Sequence, residues 1–434
     1  MKFLMITKDY PPTPSPSGQI VSYLASSLRR RGHLVDVISR DNGLSSSSDF
    51  IDDNTLHIYK VKSTYWERLS LKVHNGKANS LLKSAYFLLM FIRKLYLAAN
   101  ITKFPNSEPS VTRRTVRLFE KELSKNEYDY VIGFFRPYSS LISAIEIKNR
   151  SNKTKGIAYF LDLVEPKDCP KLMPQSLFKK LIARGDRYVF QNNTTIILPL
   201  SAKGILNPLY KEYAEKIIYC EFPTFILDLH LQPDLVMQAS GSIVMLFAGT
   251  LNSGFRNPLK LLHLINGVAA KLSEKAIILK FFGGGDCNDI INNYEHCSNL
   301  RIEQHGLVSK DIVNREMGKA NFLINITNSY NAIVPSKIFE LFASCKPIIN
   351  VVNKDDDGSE KYFTRYPLCF TAKWNTDAEF DLVVESLYKF LIDNEKKRAN
   401  IEQVKKIYHK CTPDYVVDQI IIRSIEAIKD EKNK

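Results

Sequence analysis

Long apolar runs are missing from this sequence. Nowhere does it reach the roughly 18 uninterrupted apolar residues that a membrane-spanning helix requires; the nearest approach, Ala85 to Ile92, runs straight into Arg93-Lys94. The opening run Phe3-Leu4-Met5-Ile6 is ended by Lys8-Asp9, too short for the apolar centre of a secretory signal, and it reads as a first β-strand. Paired cysteines are missing too. The 7 cysteines are scattered, odd in number and form no C-x-x-C pair, which argues against a disulfide framework and for a reducing compartment. His296 and Cys297 with Cys287 lack metal-ligand spacing, so no metal is expected. No repeat shorter than a domain is evident.

What is present belongs to a folded, basic protein of more than one domain. At 434 residues the chain is too long for a single hydrophobic core. Its apolar share of 44% and charged share of 24% exclude disorder. The formal charge of +14 implies an anionic partner. Nucleic acid, anionic lipid headgroups and nucleotide diphosphates all qualify on charge alone.

The opening reads strand, loop, helix, strand. After Phe3–Thr7 comes Tyr10-Pro11-Pro12-Thr13-Pro14-Ser15-Pro16-Ser17-Gly18, a loop that its prolines keep out of helix. A helix then opens at Gly18, with Ile20, Val21, Leu24, Ala25 and Leu28 at helical spacing, and stops at Gly32 before a second strand, Leu34–Ser39. This is a βαβ unit, and a parallel sheet follows from it. Further strands are expected at Leu56–Val61, Tyr128–Phe134, Gly156–Leu163 and Thr195–Leu200. A second α/β run has strands at Val244–Gly249, Ile277–Phe282, Leu300–Glu303, Phe322–Ile326 and Pro347–Val352, with helices such as Pro258–Leu272 and Ser336–Ser344 between them. The stretch from Pro223 to Ser242 is the linker candidate. The expected domains are therefore 1–222 and 243–411, with a basic, apolar insertion at about 63–126 in the first. A final helix over 412–430, opened by Thr412-Pro413, follows; its packing place is open, the first domain being one option.

The strongest local signal is Val334-Pro335-Ser336-Lys337-Ile338-Phe339-Glu340-Leu341-Phe342-Ala343-Ser344-Cys345-Lys346-Pro347-Ile348-Ile349. Pro335 and Ser336 open a helix whose free N–H groups favour phosphate, Lys337 adds positive charge in the first turn, and Glu340 lies one turn on, placed to accept from ribose hydroxyls. The residues alone fit an ordinary capped helix equally well. The stretch resembles the signature of family-4 retaining glycosyltransferases, a PSK-x-x-E helix start before a small-residue turn and a K-P-[IV]-I strand. The Pro-rich loop with Gly18, then Arg31-Gly32-His33-Leu34-Val35-Asp36-Val37, resembles that family's opening. Phe247-Ala248-Gly249-Thr250-Leu251, Phe282-Gly283-Gly284-Gly285-Asp286 and His305-Gly306-Leu307-Val308 resemble its later strand ends, so the likeness runs in order along nearly the whole chain.

The resemblance implies an α/β fold of two Rossmann-like domains (GT-B architecture) facing across a cleft, with no cofactor and no metal. It implies a donor site in which Gly18 and Gly249 approach the diphosphate, with Arg256, Lys260, Ser336 and Lys337 beside it. Leu307 and Val308 flank the base, and Glu340 holds the ribose. The family's second acidic residue, eight positions before Glu340, is Ala332 here, which leaves the donor sugar open. Tyr159-Phe160-Leu161-Asp162-Leu163-Val164-Glu165-Pro166 resembles the Asp-Leu-Trp-Pro segment of the family's bacterial polysaccharide branch. A carboxylate at a strand's carboxyl end faces the crevice of a doubly wound sheet. Asp162 or Glu165 then orients or deprotonates an acceptor hydroxyl; a turn-capping Asp162 is the equal alternative. The run Gly283-Gly284-Gly285 lacks GxGxxG spacing and reads as a tight turn.

Leu81–Ala99 is apolar on most sides, and Lys72, Lys77, Lys103, Arg113, Arg114 and Arg117 flank it. It reads either as a helix dipping into an anionic membrane surface or as a buried helix with solvated charges around it. The resulting expectation is a retaining hexosyl- or N-acetylhexosaminyl-transferase of surface polysaccharide synthesis. It moves sugar from a nucleotide-sugar to a glycan or lipid-linked glycan, in the cytoplasm at the inner membrane face. A nucleotide-sugar 2-epimerase of the same fold and a non-catalytic nucleotide-sugar binder are the alternatives. A nucleic-acid partner would explain the charge but not the paired domains.

Overall fold

A computed structural model of the chain describes residues 1–432 except 14, 42–54, 75–85, 87, 96–102, 172, 227–240, 273, 329–336 and 354–357. The chain divides into two compact units, Met1–Pro223 together with Pro413–Lys434, and Thr224–Thr412.

In the first unit the elements run β1 (Lys2–Ile6), α1 (Pro16–Arg30), β2 (Leu34–Asp41), β3 (Leu56–Lys62), α2 (Tyr65–His74), α3 (88–95) and α4 (Pro109–Leu118). They continue with β4 (Tyr130–Phe135), α5 (Tyr138–Lys148), β5 (Lys155–Phe160), α6 (Gln175–Asn192), β6 (Thr195–Pro199), α7 (Pro208–Glu212) and β7 (Ile217–Cys220). The helix α1 starts before Gly18: the Ser15 hydroxyl accepts the Gly18 N–H at 3.3 Å, and Pro16 brings its fixed φ to the first helical position. It ends as the sequence predicts. Gly32 turns to φ 77, its N–H donating to the Arg29 carbonyl at 2.8 Å and that of His33 to Leu28 at 3.2 Å, a Schellman closure.

The first sheet is wholly parallel, ordered β3-β2-β1-β4-β5-β6-β7. Alternation along β1 splits its side chains between two buried layers. Phe3 and Met5 join Ile20, Val21 and Leu24 of α1; Leu4 and Ile6 join Val116, Phe119 and Ile147.

The second unit runs β8 (Ser242–Ala248), α8 (Leu259–Lys271), β9 (Ala276–Phe282), α9 (Asn288–Asn292), β10 (Leu300–Gln304), α10 (Lys310–Lys319) and β11 (Phe322–Ile326). Then come α11 (Ile338–Ala343), β12 (Ile348–Val351), α12 (Glu360–Phe363), β13 (Cys369–Ala372), α13 (Asp377–Asn394) and α14 (Ile401–Tyr408). Its parallel sheet is ordered β10-β9-β8-β11-β12-β13. Strand order therefore reverses between β1 and β4 in one unit and between β8 and β11 in the other. The helices after the two central strands leave to opposite faces, opening a crevice at the strands' carboxyl ends.

Two strands were not expected, β7 and β13; both are short sheet edges. Strand β5 stops at Phe160, so Asp162 lies beyond the ladder. The linker candidate falls mostly outside the described residues. Phe225 already belongs to the second unit, its ring 5.6 Å from Tyr408 and its N–H on the Cys411 carbonyl at 3.0 Å.

The last helix, α15 (Pro413–Lys432), lies on α1 in the first unit. Val416, Val417 and Ile420 enter the same core layer as Phe3. Asp414 meets Arg30 at 2.8 Å and Arg31 at 2.9 Å, and accepts from the Ser27 hydroxyl at 2.5 Å. Burial opposes its ionisation, but these bonds win and hold its pKa down at about 2. Stability from this clamp is present above the unfolded Asp value of roughly 4 and is lost as pH falls through the folded value. Asp414→Asn should lower stability at pH 7 by at most about 1 kcal/mol, the pair being half-exposed. The gap between variant and wild-type melting temperatures should close between about pH 4 and pH 2; a gap independent of pH would remove the ionic clamp.

Candidate active site

In the second unit, three loops at the carboxyl ends of β8, β9 and β10 are sewn edge to edge. The Gly249 N–H donates to Phe282 at 2.8 Å, that of Leu251 to Gly284 at 3.0 Å, and that of Gly283 to Gly306 at 2.8 Å. Gly283 and Gly285 have φ of 134 and 142. A Cβ at these positions would lie 2.0 Å from the Gly249 carbonyl oxygen and 1.9 Å from that of Leu251. The glycine run is thus a backbone seam. Beside it is a cavity of about 590 Å³ lined by Gly249, Gly284, Asn288, Gln304, His305 and Leu307, among others. The His305 ring stacks on Phe282 with centroids 4.4 Å apart and planes 6° off parallel. Leu307 is 85% exposed.

Charge collects next to that cavity, at the β8–β11 reversal. The loop after β8 is gripped by Asp286, which accepts from the Ser253 N–H at 2.8 Å and from Asn252 at 3.1 Å. This sets Arg256, whose Nε donates to Asn328 beyond β11 at 3.0 Å and whose Nη1 donates to the Thr250 carbonyl at 3.4 Å. Lys337 precedes α11. Burial lowers its pKa from the ordinary lysine value; Glu340 opposes the shift, while Lys310 and Arg256 add to it as like charges. Lys310, the first residue of α10, pairs with Glu340 at 3.3 Å. Lys337 thus feels one carboxylate, Glu340, and two like charges, Lys310 and Arg256, so positive charge is in excess around it.

The expected site residues divide. Gly249, Arg256, Lys337 and Glu340 come together at this reversal, and Leu307 edges the cavity, with half-buried Val308 following it into α10. Lys260 is held at the carboxyl ends of β12 and β13. Its ammonium donates to the carbonyls of Val352 and Trp374, both at 3.4 Å, and lies 5.1 Å from the Trp374 ring. Ser336, with Pro335 and Ala332, lies outside the described residues. Gly18, in the first unit, has its N–H on Ser15, and a Cβ there would come within 3.0 Å of the Asp9 carbonyl group.

The carboxylates of the first unit gather around a residue that the sequence reading passed over. Arg136, just past β4, forks onto Asp168 at 2.8 and 3.1 Å, donates to the Leu163 carbonyl at 2.9 Å and reaches Asp162 at 3.3 Å. Asp162 also accepts the Leu163 N–H at 2.8 Å, so it does cap the turn. Burial raises its pKa, against Arg136 and the Leu163 N–H, while Glu165 and Asp168 add to the rise. The Glu165 N–H is bound to Asp168 at 2.8 Å.

No family model matches the chain, and a search of curated proteins gives no match in sequence. Solved structures do match it along almost its whole length. A glycosyltransferase from Rickettsia africae ESF-5 has 15% identity and a TM-score of 0.61, covering 99% of this chain and 98% of that one. Sucrose-phosphate synthase from Thermosynechococcus elongatus has 10% identity and a TM-score of 0.57, with 98% and 99% covered. The catalytic domain of starch synthase IV from Arabidopsis thaliana, bound to ADP and acarbose, has 10% identity and a TM-score of 0.55, with 99% of each chain covered. The fold is GT-B.

In GT-B terms the second unit carries a crevice at its strand reversal, and the residues missed by sequence reading, Lys310 and Arg136, both flank strand ends of their units. Their signal was position alone: a base directly after β4, and one opening the helix after Leu307-Val308. The seam gives a direct structural test. Gly283→Ala should cost about 2–4 kcal/mol in urea unfolding, combining left-handed strain with backbone overlap. Gly284→Ala, whose Cβ would meet only Leu307 at 3.5 Å, should cost under about 1 kcal/mol; equal costs would contradict the seam.

Proposed function

We propose that this GT-B chain is a retaining glycosyltransferase whose second unit binds a nucleoside-diphosphate sugar and whose first unit carries the acceptor residues. The observation behind this reading is Lys337 under the joint influence of Arg256, Lys310 and the carboxylate of Glu340, beside a base-sized cavity. A nucleoside diphosphate matches each part: the cations take its phosphates, Glu340 accepts from ribose hydroxyls, and the ring lies in the cavity between the glycine seam and Leu307. The ADP-bound state of starch synthase IV supports the same class of ligand.

Glycosyl transfer from such a donor breaks the bond between the sugar's anomeric carbon and the diphosphate oxygen, leaving negative charge on the leaving group. Lys337 and Arg256 are preorganised to stabilise that charge, and fixed charges of this kind carry a large share of the rate. Among the described residues, the side chains that act on Lys337 include one carboxylate, Glu340, and no pair to act as nucleophile and acid of a double displacement. The acceptor hydroxyl's proton therefore passes to the departing diphosphate oxygen, on the face the hydroxyl attacks, and configuration is retained. Asp162, steadied by Arg136, orients the acceptor hydroxyl. The acceptor is a glycan or lipid-linked glycan and the sugar a hexose or N-acetylhexosamine, as in surface polysaccharide synthesis.

A peripheral place on the inner face of a membrane fits α3. Leu88, Phe91, Ile92 and Leu95, at helical spacing on one face, are 63%, 55%, 44% and 55% exposed, with Arg93 and Lys94 between them. Among the described residues no helix is long and apolar enough to cross a membrane.

Lys337→Ala should lower kcat/KM by about 10²–10³, and Glu340→Ala should mainly weaken nucleoside binding in calorimetry. Unchanged turnover in the first or unchanged affinity in the second would remove that residue from the site. Because the lowered Lys337 pKa brings its deprotonation below that of an ordinary lysine, nucleoside-diphosphate affinity should fall as pH rises through the alkaline range. Lys337→Arg should flatten that fall; an identical pH profile in the variant would contradict the role of the ammonium.

A further inference from the structure

Strand β9 is an apolar run, Ala276-Ile277-Ile278-Leu279-Lys280-Phe281-Phe282, broken by a single charge. Ile277, Leu279 and Phe281 enter one core layer, so Lys280 faces the other side of the sheet, its side chain only 14% exposed. An ammonium there costs free energy unless it is paired. Two carboxylates pair it. Glu316 of α10 accepts from it at 3.0 Å, and Glu303, its register partner on β10, stands 3.9 Å away.

Each carboxylate leads to a different edge of the nucleotide cavity. Glu303 lies 3.2 Å from Nε2 of His305, whose ring stacks on Phe282 and lines the cavity. The other oxygen of Glu303 meets Arg301 at 3.0 Å, but that guanidinium is 73% exposed and screened by solvent. Glu316 seats α10, the helix into which Leu307 and Val308 lead. Its second oxygen accepts from Lys319 of the same helix at 2.7 Å, which leaves Lys280 as its tie to the sheet. Met317 is the one buried side chain of α10, so polar contacts fix much of the helix's place. Lys346 holds the far end through the carbonyls of Gly318, at 2.8 Å, and Ala320.

We infer that Lys280 is a positioning residue for base recognition, holding the His305 ring through Glu303 and the Leu307–Val308 turn through Glu316 in one fixed spacing. The inference rests on the donor reading given above and adds to it what selects the base. Lys280 itself touches no nucleotide. A base that fits both edges closely depends on their spacing, whereas one that fits loosely has little to lose. Discrimination among bases is therefore the property that Lys280 sustains, and the attraction of Lys337 and Arg256 for phosphate does not depend on it.

The test is calorimetry with UDP, ADP and GDP on wild type, Lys280→Met, Lys280→Arg and Glu316→Gln. Wild type should prefer one of the three. Lys280→Met should bind that one about 10-fold more weakly, the effect of losing one charged hydrogen bond. The two less favoured diphosphates should change by no more than about twofold, so that discrimination shrinks. Lys280→Arg, which keeps the charge, should keep most of the discrimination. Glu316→Gln should reduce it in the same direction by a smaller factor, and it decides the matter if Lys280→Met does not fold. Equal losses for all three diphosphates, or undiminished discrimination in Lys280→Met, would reduce the ion pair to a support of the fold and overturn the inference. So would a wild type that binds all three equally. If wild type bound none of them, the donor reading itself would fall and this inference with it.

Discussion

Cations gathered near one carboxylate are the constraint on which the second unit turns. Lys337, Lys310 and Arg256 crowd one place in the fold, and Glu340 is the carboxylate that tempers them. Such crowding costs stability in the unliganded chain, more so where burial has removed solvent from Lys337. The fold sustains that cost because the backbone beneath is fixed: the glycine seam locks the loops after β8, β9 and β10, and Asp286 pins the loop that carries Arg256. Electrostatic tension held on a rigid frame is what a bound anion would relieve.

The first unit solves a different problem. Its acidic residues would repel one another at the end of β5 without the fork of Arg136 onto Asp168 and its reach to Asp162. Asp162 is therefore both a turn cap and a partner in an ion pair, and the two roles do not compete. Its carboxylate remains 38% exposed, which leaves surface for a hydroxyl. The closing helix α15 adds stability to this unit through Val416, Val417 and Ile420, with Asp414 and Asp418 setting its register on α1.

Much of this architecture is legible in the residues. The βαβ opening can be read because β1 and β2 are nearly continuous buried runs and Gly32 closes the helix between them. Such strands identify themselves without their neighbours. The edges β7 and β13 escape notice because each is four residues long and only partly buried, so its strand character comes from the adjacent strand. The site divides along a similar line. Glu340 and Lys337 belong to one compact segment whose spacing carries information. The partners of Lys260 cannot be read from its spacing, because the end of a long side chain is settled by tertiary contacts, here Trp374, 114 residues away in sequence. Lys310 and Arg136 carry no spacing signal at all; only strand order brings them to crevice edges.

The central claim is that the second unit holds a nucleoside diphosphate as a whole, through base, ribose and phosphates together. Thermal unfolding of the intact protein with a nucleoside diphosphate, compared with inorganic pyrophosphate at equal concentration, addresses it most directly. Preferential binding to the folded state raises the midpoint in proportion to the logarithm of ligand concentration. The account predicts a rising midpoint with at least one nucleoside diphosphate and a much smaller rise with pyrophosphate. Equal rises with both, or none with any nucleotide, would contradict it.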